Sequence, residues 1–245
     1  MTVLAIDTAT EVLSVALRVE PTRVPTNKPG HRTLYLTASR DVGLRHSEVL
    51  MPIIDRLMEE AGCTSTDLDL VAAMRGPGSF TGLRIGMSTA KGIGAALAMQ
   101  IGVDQPPVVS IPTLEVMACG VARIPGTLVV PVLDARKKRF YGGVFRDGQR
   151  LTEDLDVTPE DLRKAISTFA SGPVILTGTH AGLFAAAAGG SDDWIVDPGH
   201  RRGYASQLLD IAASEFQRRG ADSPDTGPDY RRETDAELAR VPPPR

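Results

Sequence analysis

The sequence predicts an α/β fold made of two duplicated βββαβα lobes, and three observations carry that reading. Segments with strand and helix periodicity follow one another in the same order in both halves. Each half opens on an apolar strand that ends in an aspartate, Asp7 and then Asp134. In the first half a Gly/Pro-rich turn, Arg75 to Thr81, joins a buried strand to a helix.

In the first half, Val3 to Ile6 reads as a buried strand, Asp7-Thr8-Ala9-Thr10 as its turn and Leu13 to Val19 as the returning strand. Pro21, Pro25, Pro29 and Gly30 break the pattern, and Thr33 to Ser39 alternates as a third strand. Ser47 is the expected cap of a first helix. Its stripe of Val49, Leu50, Ile53, Ile54, Leu57, Met58 and Ala61 ends at Gly62, and Pro52 lies one turn in. Leu68 to Met74 is a buried strand and Gly82 to Met99 a second helix.

The second half repeats the order. Leu128 to Leu133 is a strand ending at Asp134, Ala135 to Arg139 a basic turn, and Phe140 to Phe145 the return. Thr158-Pro159-Glu160-Asp161 combines an N-cap, a first-turn proline and two acids, which starts a helix to Phe169. Pro173 to Thr177 reads as a strand and Tyr204 to Arg219 as an amphipathic helix. The expected organisation is a lobe over 1–105, a lobe over 106–223 and an extended tail over 224–245. A duplicated unit with an acid in each first turn resembles the actin-like (ribonuclease H-like) plan of the actin, Hsp70 and sugar-kinase superfamily.

Composition excludes several function classes. Apolar residues make up 42% and charged residues 23% of 245, ordinary globular usage. Aromatics, at 4%, are too few for a base-stacking platform. A net charge of −3 gives no general attraction for a phosphate backbone, so contact with RNA is expected only locally or through a partner. The best local candidate is the loop carrying Arg23, Lys28, His31 and Arg32. Cys63 and Cys119 are isolated, and His31, His46, His180 and His200 lack metal-ligand spacing, so no zinc site is expected. The N-terminus lacks a secretory pattern and no segment is apolar enough to span a bilayer, which points to the cytoplasm.

Two loops are candidates for holding phosphate. In the first, Asp7, Thr8 and Thr10 can cradle an anion while the carboxylate orients hydrated Mg²⁺; the bland reading is an aspartate bonded to its own turn. In the second, Gly76, Gly78, Ser79 and Thr81 precede a helix, whose free N–H groups and dipole attract anions. No GK[ST] follows, so it is not a Walker A loop, and a Ser79 or Thr81 cap explains it equally well. Gly82, Gly86, Ala90, Gly94 and Ala98 then form a ridge with almost no side chains. Glycine in a helix costs about 1 kcal/mol relative to alanine, so the ridge needs a close contact, within the chain or with a partner. Ser79 and His46 are better explained as a cap and a local hydrogen-bonding group than as nucleophile and base.

LAIDTAT with LSVAL, HSEVLMPIIDRLM, RGPGSFTGLRIGMSTAKGIG, LDARKKRFYGGVF and Pro228-Asp229-Tyr230-Arg231 together resemble the ordered motifs of the TsaB family, of glycoprotease-like descent, over about residues 1–232. The resemblance implies a dimerisation subunit that is not an enzyme by itself. Its expected partner is TsaD, which transfers threonylcarbamoyl to N6 of adenosine 37 in ANN-decoding tRNAs, with the ATPase TsaE assisting. The chain lacks TsaD's metal-binding histidine motif. The expected partner surface is His46, Ser47, Val49, Leu50, Ile53, Ile54, Leu57 and Met58, with Gly82, Leu83, Gly86, Met87 and Ala90. A second copy of the chain is the expected occupant when TsaD is absent. The only cofactor allowed for is ATP or ADP with Mg²⁺ at the partner interface, and tRNA is met only through the complex. An insertion over 20–33 and Arg231 in place of a leucine depart from the pattern.

Two other readings compete. A superfamily ATPase or small-molecule kinase needs an adenosine-binding Gly-Gly pair, and Gly189-Gly190 looks like a helix end instead. A peptidase needs a nucleophile or metal that no motif supplies.

Overall fold

The structure, a computed structural model, describes residues 1–20, 33–121, 125–199 and 201–230. The loop cations Arg23, Lys28, His31 and Arg32, and His200 and Arg231, lie outside the described residues.

The first half runs β1 (Val3–Asp7), β2 (Val12–Val19), β3 (Leu34–Asp41), α1 (His46–Ala61), β4 (Leu70–Gly76), α2 (Phe80–Ile101), β5 (Val108–Pro112) and α3 (Thr113–Cys119). The second runs β6 (Leu128–Asp134), β7 (Phe140–Gly142), β8 (Phe145–Arg146), β9 (Gln149–Arg150), β10 (Leu155–Val157), α4 (Pro159–Phe169), β11 (Val174–Thr177), α5 (Ala181–Ala187), β12 (Trp194–Val196) and α6 (Ala205–Arg219). The first sheet has the order β3-β2-β1-β4-β5 and the second β10-β7-β6-β11-β12, so the halves share one topology and the actin-like plan holds. In each, an antiparallel meander is extended by parallel strands.

Among the described residues the first half carries one strand and one helix more than the expected βββαβα, and the second half three strands and one helix more. β5 hydrogen-bonds to β4, so the first sheet continues past the boundary expected at 105. The second-half return strand is interrupted at Gly143-Val144, and the short β8–β9 hairpin branches off β6 there. α1 begins two residues earlier than expected. Arg45 occupies the cap position and Ser47 lies inside the helix, while Gly62 ends it in the left-handed conformation (φ 64°).

β1 and β4 are buried on both faces, which is why they read as continuous apolar runs rather than alternating ones. One face of the first sheet packs on α1 and α2 through Leu4, Ile6, Leu50, Ile54 and Leu57. The other takes Tyr204, Leu208, Leu209 and Ala212 from the end of the chain, so α6 of the second half completes the core of the first. α3 in turn lies against β6. The second sheet has its own core, where the Phe184 ring meets Phe140 and Trp194, each at 5.5 Å between centroids.

This packing corrects the expected partner surface. Leu50, Ile53, Ile54, Leu57, Leu83, Met87 and Ala90 are buried in the chain's own core, and His46 is buried with them. At about 1.5–3 kcal/mol for each fully buried large apolar side chain, this stripe holds α1 to its sheet and is not available to a partner. Among the expected residues Ser47 is exposed, and Val49 and Met58 are half-buried.

Candidate functional site

Both candidate phosphate loops meet at the carboxyl end of β1. Thr8 Oγ1 donates to the Gly82 carbonyl (2.7 Å), and the Ser79 N–H donates to Ala9 O (2.7 Å). A Cβ at Gly78 would lie 2.5 Å from Ala9 O, one at Gly82 2.1 Å from Thr8 O, and one at Gly86 2.2 Å from Thr8 Oγ1. The glycine ridge of α2 therefore lets a helix press against the β1–β2 turn, and Gly94 does the same against Val108. The ridge answers a contact inside the chain. Ser79 is the α2 cap, its Oγ accepting from the Gly82 N–H at 3.3 Å.

Asp7 is 0% exposed. Its carboxylate accepts from the N–H groups of Ala9 (3.1 Å) and Tyr204 (2.9 Å) and from Ser14 Oγ (3.4 Å). Burial pushes the Asp7 carboxyl up from its ordinary value, against the opposing pull of those hydrogen bonds. Thr8 and Thr10 are buried too, and Thr10 Oγ1 exchanges hydrogen bonds with Val12. This corrects the reading of Asp7, Thr8 and Thr10 as an open phosphate cradle. Hydrated Mg²⁺ does not fit, because the carboxylate is enclosed and its acceptor sites face three donors of the chain itself.

The enclosing element is the start of α6. Ala205 N–H donates to Ser14 Oγ (3.0 Å), and a Cβ at Gly203 would come 2.2 Å from the same side chain. Tyr204 Oη accepts from the Gly178 N–H (2.9 Å), which ties this seal to the end of β11. His46 Nε2 lies 2.7 Å from the Thr10 carbonyl and braces the turn from α1. Neither His46 nor Ser79 is therefore placed as a base or nucleophile.

An open cleft of about 300 Å³ remains between the halves, lined by Thr10, Glu11, Leu44, Ser79, Asp134 and His180 among others. His180 Nε2 lies 3.4 Å from Glu11, and burial lowers the pKa of the ring more than that carboxylate raises it. Gly189-Gly190 is not among the residues that line this cleft. Both residues have positive φ just past α5, and Arg163 binds the adjacent carbonyls of Ala188 and Gly190.

Sequence reasoning did not foresee a strap. Residues 221–230 return along the first half: the Asp222 N–H donates to Val108 O, Lys91 Nζ to Pro224 O, and the Asp229 N–H to Arg75 O. Gly76, at φ 123°, leaves only enough room for the Asp229 carbonyl. Tyr230 stacks on Phe80 at 4.6 Å, with the Arg84 guanidinium over Phe80 and bonded to Tyr230 Oη at 2.8 Å. The strap gives the late Pro-Asp-Tyr motif its physical meaning, and the tail is docked as far as residue 230.

The second-half counterpart of the Asp7 turn is built differently. Asp134 accepts from the Arg136 N–H (2.7 Å), and Arg136, Lys137 and Lys138 stand in succession at φ 64°, 50° and 59°. Left-handed backbone costs a residue with a side chain roughly 1–2 kcal/mol. All three are exposed.

The family model described as "TsaD: tRNA N6-adenosine threonylcarbamoyltransferase" matches residues 40–185. A tRNA threonylcarbamoyladenosine biosynthesis protein TsaB of Bacillus subtilis is 31% identical over 155 residues, 63% of this chain and 59% of that protein. Its namesake in Escherichia coli is 36% identical over 148 residues, 60% of this chain and 55% of that protein. The matches thus span less than two thirds of these relatives' own length. The solved structure of YeaZ from Pseudomonas aeruginosa superposes with a TM-score of 0.72 at 27% identity, covering 94% of this chain and 99% of that one.

Proposed function

The chain belongs to the TsaD: tRNA N6-adenosine threonylcarbamoyltransferase family, whose model covers more than half of it, and we propose that it is a non-catalytic dimerisation subunit in the formation of threonylcarbamoyladenosine on tRNA. Its partner in this reading is TsaD, TsaE joins the assembly, and tRNA is bound by the complex. The names of its TsaB relatives support the pathway.

The single observation that carries the non-catalytic role is the sealed β1–β2 turn. Where the superfamily plan puts phosphoryl chemistry, Asp7 instead caps the start of α6 and joins the two halves. A carboxylate committed to three internal donors positions no metal and no attacking group.

The partner surface is the outward side of the same two helices. On α1 it comprises Ser47, Met51 and the exposed part of Met58; on α2 it comprises Ser88, Gly92 and Ala95, all exposed. A Cβ at Gly92 would meet nothing within 4 Å, so its small size serves no contact inside the chain. The test is a reaction reconstituted from purified chain, TsaD, unmodified tRNA and threonylcarbamoyl-adenylate, with modified adenosine measured by mass spectrometry. The chain alone should make no product, and TsaD should need it for sustained formation. Product from the chain alone, or full activity of TsaD without it, overturns the proposal.

A further inference from the structure

The Arg136–Lys138 turn takes no part in the sealed site or the helix surface, and among the described residues it is the longest run of non-glycine residues at positive φ. Three consecutive residues with side chains hold φ between 50° and 64°, a region where single glycines or asparagines normally serve. A turn selected only to connect β6 to β7 would place glycine there. Here all three positions carry cations, in a chain of net charge −3.

The turn is fixed at both ends. Asp134 accepts from the Arg136 N–H at its start. At its end the Ala135 N–H donates to Arg139 O (2.9 Å), and Arg139 is itself held to Asp156 (2.7 Å). All three positions of the tip are exposed, and the Arg136 guanidinium lies 3.4 Å from Asp134 Oδ2 with its side chain 81% exposed. Beside the tip runs a groove with an apolar floor of Phe140, Pro159 and Leu183, the last 53% exposed. Asp134 and Glu160 are the acids among its lining, Glu160 in the first turn of α4.

Resting on the functional reading above, we infer that this turn is the chain's own contact with the RNA phosphate backbone when the complex holds tRNA. Lysine-rich tips bind phosphate as point charges without reading sequence, so the contact positions the RNA and makes binding salt-dependent. The scarcity of aromatics leaves base recognition to the partner. The chain's overall negative charge keeps the contact weak outside the assembly.

The test compares wild type with the triple variant Arg136→Gly, Lys137→Gly, Lys138→Gly, each in reconstituted complex with TsaD. Glycine accepts the left-handed backbone, so the variant should melt at the same temperature or higher and still assemble. Its affinity for unmodified tRNA should fall at least about tenfold, and the slope of log affinity against log salt between about 50 and 200 mM should be shallower by about 2.7, for three phosphate contacts at roughly 0.9 each. Equal affinity and equal slope overturn the inference, as does loss of TsaD binding with RNA affinity intact, which would make the turn a protein contact. If wild type itself fails to join TsaD, the functional reading falls separately. The turn is then judged on the isolated chain at about 50 mM salt, where wild type should be retained on tRNA and the variant released.

Discussion

The two halves open on equivalent turns, one at Asp7 and one at Asp134, and the turns have opposite fates. The Asp7 turn is buried under α2 and the start of α6, with its carboxylate and hydroxyls bonded inside the chain. The Asp134 turn stands in solvent with three cations on a left-handed backbone. A duplicated topology thus keeps the position of an acid while changing its work, from joining two halves to shaping an exposed tip. The helix that decides the difference is α6, which crosses from the second half onto the first sheet and caps its turn.

Among substitutions at the two turns, the strap and α2, the largest effect should come from prising open the first turn. Gly86→Ala places a methyl 2.2 Å from Thr8 Oγ1, and overpacking of that kind costs about 3 kcal/mol, read as a lowered denaturation midpoint. Unchanged stability would show the α2 contact to be looser than described.

Replacing the two aspartates sharpens the contrast directly. Asp7→Asn turns an amide donor toward the Tyr204 N–H in a buried site and should cost about 2 kcal/mol. In Asp134→Asn the side-chain oxygen can still accept from the Arg136 N–H, so the loss should stay below about 0.5 kcal/mol. The Asp7 pair also carries a pH signature. Because burial raises this carboxyl above its ordinary 3.8, the folded chain holds the proton more tightly than the unfolded chain. The stability difference between wild type and Asp7→Asn should therefore favour wild type most at low pH and shrink as pH rises from below 3.8 through the folded value. Denaturant titrations across that range check the sign.

Smaller effects test the strap and the outer face of α2. Tyr230→Ala removes the stack on Phe80 and the partner of Arg84, and should cost about 1 kcal/mol at this partly exposed site. Gly92→Ala, with nothing within 4 Å of the new methyl, should stabilise the isolated chain by about 0.5–1 kcal/mol. The opposite signs at Gly86 and Gly92 distinguish the inward ridge of one helix from its outward side.

Much of the fold was legible in the sequence because its signals are local. Strand runs ending in aspartate, the Ser79 cap, the Thr158-Pro159 start and the Gly62 stop each sit where expected or within a residue or two. The elements missed were short ones. β5 lies between prolines, α3 and α5 have seven residues each, and β12 has three, too few to show a period. The site was harder to read for a different reason. An apolar stripe states that a face is buried but not against what, so the sequence alone offers Leu50 and Ile54 to a partner although their own sheet covers them. Likewise an Asp-Thr-x-Thr turn has the donors and acceptors to hold an anion. What closes it is Tyr204, 197 positions away in sequence, and no local pattern reveals that contact.

Two neighbouring residues of α1 separate the buried stripe from the proposed partner surface. Leu50 is 1% exposed and points into the core, whereas Met51 is 43% exposed on the side proposed to meet TsaD. Leu50→Glu and Met51→Glu should be compared by thermal melting and by titration with purified TsaD. Leu50→Glu should lose its folding transition, while Met51→Glu should melt like wild type and bind TsaD at least about tenfold more weakly, about 1.4 kcal/mol. A folded Met51→Glu variant that binds TsaD at wild-type strength would contradict the proposed surface.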